Sequence, residues 1–144
     1  MASIQFTVLG VPQPRGNKTA FPFQRKDGSL GVNVTDGRRP KSRAASAGWM
    51  DSVRFAAASE QQDSPPIEGP VEIDIAFELV RPKSRKSAKA HTTRPDIDKL
   101  ARGTLDAMKG IIYRDDSQIV SLRLWKSYAK TSPGARITVS GAEQ

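Results

Sequence analysis

The chain has 144 residues, the size of one modest domain, and carries 23 Lys and Arg against 15 Asp and Glu for a net charge of +8. That balance points to a polyanionic partner, nucleic acid first, because the long basic amphipathic helix of a membrane-surface binder is missing. With no cysteine and one histidine, disulfides, zinc ribbons and thiol nucleophiles are excluded, and a reducing, cytoplasmic setting is expected.

Met1 to Pro14 lacks the basic and apolar blocks of a signal peptide, and no stretch approaches the ~20 apolar residues of a membrane span. Ile4, Phe6 and Val8 alternate with Gln5 and Thr7, which predicts a first strand with one buried face. Two prolines in VPQPRG then end it. Residues 11–43 read as a long basic loop whose eight Lys and Arg face only Asp27 and Asp36. Arg15 and Lys18 lead it as candidate phosphate contacts. Phe21 and Phe23 suit either base stacking on splayed nucleic acid or packing on the core, with packing preferred. Ser42 to Glu60 has helical periodicity along Trp49, Val53, Ala56 and Ala57, with Trp49 expected in the core. The proline-rich run 62–70 is a connector.

VEIDIAFELV, residues 71–80, alternates strictly. Val71, Ile73, Ile75, Phe77 and Leu79 take one face, and Glu72, Asp74 and Glu78 the solvent face of an antiparallel or mixed sheet. Asp74 is a secondary candidate for metal binding. A second basic loop follows over residues 81–94, in which Arg81, Lys83, Arg85, Lys86, Lys89 and Arg94 meet no acid. Such a segment is expected to be mobile and to hold phosphates, with Arg85, Lys86, Lys89 and Arg94 as DNA contacts. His91 is expected to be exposed within it.

Residues 94–118, RPDIDKLARGTLDAMKGIIYRDDSQ, are the centre of the chain. Two acid pairs, Asp96 with Asp98 and Asp115 with Asp116, flank a helical run. Ile97, Leu100, Thr104, Leu105, Met108, Ile111 and Ile112 form its apolar stripe, with Lys99, Arg102, Asp106 and Lys109 on other sides. Pro95 suits a first turn and Gly110 a stop. Each pair by itself suits an ordinary helix start or turn. If the chain doubles back after Tyr113, Asp115 or Asp116 joins the first pair, and such a convergence of carboxylates calls for a hard cation such as magnesium. Ile119 to Lys126 and Arg136 to Ser140 then read as two closing strands around a Ser-Pro-Gly turn, Ile137 and Val139 pointing inward. The expected fold is α+β: a small mixed β-sheet with two main α-helices packed against it, in a single domain over 1–144.

The pattern RPD-x-D-x-L, then LDAM, then DDSQIV, resembles the RusA family of Holliday junction resolvases, small dimeric magnesium-dependent endonucleases of phages and prophages. The likeness is close over Arg94–Tyr128. It implies that Asp96, Asp98 and Asp116 are the catalytic, metal-binding carboxylates, with Mg2+ as cofactor and Mn2+ as a substitute. It also implies a homodimer that cuts four-way junctions in DNA recombination and repair. In two places the chain departs from the family: Lys99 stands where Asn is usual, and Arg102 where a catalytic Lys is usual. Arginine keeps the charge but gives up no proton near neutrality, which leaves Arg102 an electrostatic role. Lys99 and Lys126 join the candidate DNA contacts. The rival readings are a noncatalytic branched-DNA-binding protein, whose acids only cap and turn, and a nuclease for forks or flaps.

Overall fold

The computed structural model describes residues 3–16, 18–36 and 40–142, the side chains of 18–21 and 33–36 excepted. Arg38 and Arg39 of the first basic loop and the side chains of Lys18 and Phe21 therefore lie outside the described residues.

Four strands make one sheet: β1 (Ser3–Leu9), β4 (Val71–Leu79), β5 (Ile119–Tyr128) and β6 (Gly134–Gly141), in the order β1-β6-β4-β5. β6 runs antiparallel to both β1 and β4, whereas β4 and β5 are parallel, so the sheet is mixed as expected. A parallel pair needs a crossover, and α2 (Ile97–Met108) lies within it. The other helix, α1 (Pro40–Gln61), packs on β1 and on α2. The fold is the α+β arrangement that the alternation of strand and helix signals predicted.

One apolar cluster unites these elements. Ile73, Ile75 and Phe77 of β4, Leu100 and Met108 of α2, and Ile137 and Val139 of β6 are fully buried. Trp49 sits in the core as expected, its indole donating to Thr104 Oγ1 at 3.1 Å, and so ties α1 to α2. On the opposite face of β4, Asp74 receives both Arg123 nitrogens at 2.8 and 2.9 Å, and Glu78 meets Arg136 at 3.3 Å. These acids belong to the wet face of the sheet, the reading preferred for them.

The structure departs from the sequence expectations in several places. The first basic loop contains a two-stranded ribbon, β2 (Lys18–Gln24) paired antiparallel with β3 (Leu30–Asp36). The pairing was masked by Pro22 in β2 and by the surrounding cations, although Leu30, Val32 and Val34 alternate with Gly31, Asn33 and Thr35. Phe23 does not pack on the core but stays exposed. α2 ends at Met108, where Gly110 adopts a left-handed φ of 84°. Ile111 and Ile112 therefore reach the core from the following turn rather than from the helix. Pro95 precedes the helix instead of occupying its first turn. β5 is an edge strand, so Val120, Leu122 and Trp125 remain exposed.

Candidate active site

The N-terminal end of α2 presents Asp96 and Asp98. Asp96 holds the N-cap position in an extended conformation, yet its side chain makes no capping hydrogen bond. An N-cap Asp ordinarily accepts an N–H from the first turn. This one leaves that task undone and stands exposed, as does Asp98 one turn position further on.

Lys126 positions the approach to that end. Its ammonium donates to the carbonyl oxygens of Thr93 at 2.8 Å and Pro95 at 3.0 Å, on either side of the cis Arg94–Pro95 bond. The candidate phosphate contact is thus directed at the backbone that leads into Asp96. His91 also corrects its expectation. It is buried, with 7% of its surface exposed, and its ring lies 4.9 Å from that of Tyr128. Burial, and after it the charge of Lys126, holds its pKa below the usual imidazole value. The rest of the second basic loop is not featureless. A short 3-10 turn (Lys83–Arg85) closes over Arg81, which donates to the carbonyl oxygens of Arg85, at 2.9 Å, and of Ala88, and lies 4.2 Å above the Tyr128 ring. Arg85, Lys86, Lys89 and Arg94 are exposed around it.

The segment after β1 folds over α2. Arg15 N–H donates to Lys99 O at 3.1 Å, the Arg15 guanidinium pairs with Asp106, and Ser46 Oγ donates to Pro14 O. Gly103 lies beneath this segment, where a Cβ would stand 3.4 Å from Arg15 Cβ, an ordinary contact distance, and a larger side chain would meet it. Two depressions result, with Arg15 and Gly16 between them. One, of 330 Å³, is lined by Pro14, Arg15, Gly16, Arg94, Pro95, Asp96 and Lys99. The other, of 520 Å³, is lined by Arg15, Gly16, Arg102, Asp106 and Lys109. Helical spacing runs Asp98, Arg102 and Asp106 along one stripe of α2, and Lys109 follows just past its end. Asp106, a polar position off the apolar stripe, is brought to the site by its pairing with Arg15. Its signal was the repeated step of four from Asp98.

The second acid pair divides its work. Asp115 caps a short 3-10 turn (Asp116–Gln118), accepting from Ser117 N at 3.1 Å, from Ser117 Oγ and from Lys109. The Ser117 bonds first, and then Lys109, lower its pKa to about 2. Asp116 makes no such bonds among the described residues. Partial burial first, and then Asp106, raises its pKa. α2 thus keeps Asp116 apart from the first pair: Asp96 and Asp98 stand at one end, Asp116 beside Asp106 and Lys109 at the other. Among the described residues no three carboxylate or imidazole side chains converge to hold a metal ion. The pair Asp96 and Asp98 nonetheless fits magnesium, which is commonly held by one or two carboxylates with water and substrate phosphate completing its shell.

Residues 32–140, well over half of the chain, match the family described as Endodeoxyribonuclease RusA. The chain is also similar to the uncharacterized protein YqaN of Bacillus subtilis, with 32% identity over 141 residues, covering 90% of this chain and 91% of that one. No helix among the described residues is long and apolar enough to cross a membrane.

Proposed function

The chain belongs to the RusA family of endodeoxyribonucleases, and on that footing we propose that it is a magnesium-dependent, junction-resolving nuclease acting on DNA in the bacterial cell. The observation that carries the reading is the pair Asp96 and Asp98, exposed at the head of α2 with Asp96 uncommitted to capping, beside Arg15, Arg94 and Lys99. A protein that only binds phosphate gains nothing from acids amid its cations; a nuclease needs them for a metal ion.

In this scheme Asp96 and Asp98 hold the metal, with Mg2+ the fitting ion and Mn2+ a substitute; Asp116, the third ligand that the family resemblance implies, stands at the other end of α2 and would have to be brought to them. Bound at the pair, the ion supplies Lewis acidity toward the phosphate and an activated water. The chain's own groups do the rest. Arg102 and Lys99 offset charge that builds on the phosphate, a task suited to a group that keeps its proton. Arg15 is fixed by Asp106 and directs the strand across the two depressions. Lys126 holds the carbonyl groups of Thr93 and Pro95 and so fixes the direction from which Asp96 is presented. Arg85, Lys86, Lys89 and Arg94 bind the flanking backbone. Two opposed cuts at a four-way junction need two sites in matching symmetry, which a twofold homodimer supplies.

The test is cleavage of a labelled synthetic four-way junction beside linear duplex of the same sequence, with magnesium or EDTA, by the parent and by Asp96→Asn. Paired symmetric nicks in the junction alone, lost with EDTA and with the variant while binding persists, are expected. Tight junction binding without a cut under magnesium or manganese overturns the enzyme in favour of a binding protein. Nicks confined to forks or flaps reassign the substrate.

A further inference from the structure

The ribbon formed by β2 and β3 is an anomaly in a chain with a single core. Among the described residues β2 and β3 pair extensively with each other, and neither makes a comparable set of contacts with another named element. Every residue from Pro22 to Leu30 is exposed. An isolated two-stranded ribbon is marginally stable in water, so its apolar side chains call for an explanation outside the fold.

The register sorts those side chains onto two faces. Pro22 pairs with Val32 and Gln24 with Leu30, so these four share one face, while Phe23 and Gly31 share the other. A Cβ on Gly31 would lie 2.5 Å from Phe23 Cζ and 2.8 Å from Arg25 Cζ. The glycine therefore lets the Phe23 ring and the Arg25 guanidinium, 5.4 Å from that ring, lie down across the ribbon. The opposite face is left bare, with Leu30 75% and Val32 62% exposed. At the tip, Arg25 and Lys26 add positive charge. The nearby acid, Asp27, is occupied by the backbone and hydroxyl of Ser29.

The ribbon's root lies at the candidate site. Gly16 lines both depressions, and β2 begins two residues later, a span of at most ~7 Å. A seven-residue strand then carries the tip roughly 20 Å outward, past about six nucleotides of a strand laid across the site. Most of the ribbon precedes residue 32, where the family match begins.

We propose that the β2–β3 ribbon is a wedge for branched DNA: its face of Pro22, Leu30 and Val32 presses against bases unstacked at the branch point, while Arg25 and Lys26 grip the flanking phosphates. The inference rests on the DNA-cleaving reading above. Apolar side chains inserted at base steps are an established means of unstacking DNA, and a branch point, where stacking is already interrupted, is the least costly place to do so. Cations at the tip of a chain of net charge +8 favour a nucleic acid over another protein as occupant.

The experiment uses the full chain in EDTA, with a four-way junction carrying 2-aminopurine beside the branch point and a linear duplex as reference. Parent and Leu30→Ser/Val32→Ser are compared; both positions are exposed, so the substitutions leave the core intact. The parent is expected to raise the fluorescence on binding. The double variant is expected to lose that rise and to bind the junction roughly tenfold more weakly, with duplex affinity unchanged. Arg25→Ala is expected to weaken both and to lower the salt dependence. A double variant that keeps the fluorescence rise and the junction-to-duplex affinity ratio overturns the wedge while leaving the nuclease reading intact. A parent with no junction preference overturns that reading and the wedge with it. If the double variant instead changes the mass measured by sedimentation, the face belongs to a second copy of the chain, and the wedge is wrong.

Discussion

Lys109 Nζ lies 3.1 Å from the Asp115 carboxylate, and this ion pair distinguishes two adjacent acids that are chemically identical in sequence. With Ser117 as its further donor, Asp115 is a structural residue that fixes the turn into β5. Asp116, one residue on, lacks those donors, and partial burial, then Asp106, raises its pKa.

Exchange of each acid for Asn should therefore give opposite results. Asp115→Asn is expected to lower the melting temperature, because the turn loses its charged cap, while cleavage survives. Asp116→Asn is expected to leave the melting temperature at or slightly above that of the parent, because the side chain is largely solvated, and to lose cleavage as the family resemblance implies. Thermal denaturation read beside a junction cleavage assay checks both. Loss of cleavage in Asp115→Asn with retention in Asp116→Asn would reverse the assignment.

Lys126 separates positioning from phosphate contact. Lys126→Met removes both donors to Thr93 O and Pro95 O but keeps the aliphatic stem. Turnover is expected to fall with little change in the slope of log affinity against log salt. A direct phosphate contact would instead reduce that slope by about one and weaken binding to any sequence.

The sheet and α1 were legible because they rest on periodicity that burial enforces: Val71 to Leu79 alternate since one face is sealed by helices, and Trp49 and Val53 repeat with a turn of helix. The acids at Asp96 and Asp98 were legible from their spacing and from resemblance. The β2–β3 ribbon was not, because Pro22 interrupts one strand and cations crowd both, which outweighed the alternation of Leu30, Val32 and Val34. The burial of His91 was missed because cations surround it in sequence, whereas in space the Tyr128 ring covers it. Asp106 was missed because its partner, Arg15, lies 91 residues away along the chain.

Gly103 should tolerate one methyl group and no more. A Cβ would rest against Arg15 at ordinary contact distance, while Gly in a helix interior costs about 1 kcal/mol relative to Ala. Gly103→Ala is expected to stabilise the protein by roughly 0.5 kcal/mol with cleavage unchanged. Gly103→Leu is expected to lift the Pro14–Gly16 segment, separate Arg15 from Asp106 and reduce cleavage. Denaturant unfolding and the junction assay read the two effects. Equal activity in both variants would show that the segment takes no part in the site.

His91, as the chain's one histidine, gives an imidazole signal free of overlap. Its folded pKa is depressed by burial and by Lys126, so between the folded and the unfolded value of about 6.5 the unfolded chain binds more protons. Stability is then fully present above about pH 6.5 and is lost as pH falls toward the folded pKa. Asp116, with a raised pKa, acts in the opposite direction, so the comparison must be a difference between proteins. The melting temperature of the parent is expected to fall from pH 7.5 to 5.5 more steeply than that of His91→Phe, which keeps a ring against Tyr128 but cannot titrate. The single imidazole Cε1–H resonance followed by NMR is expected to titrate below 6.5. A midpoint at or above 6.5 would mean that the ring is solvated and that the packing of the second basic loop on Tyr128 does not hold in solution.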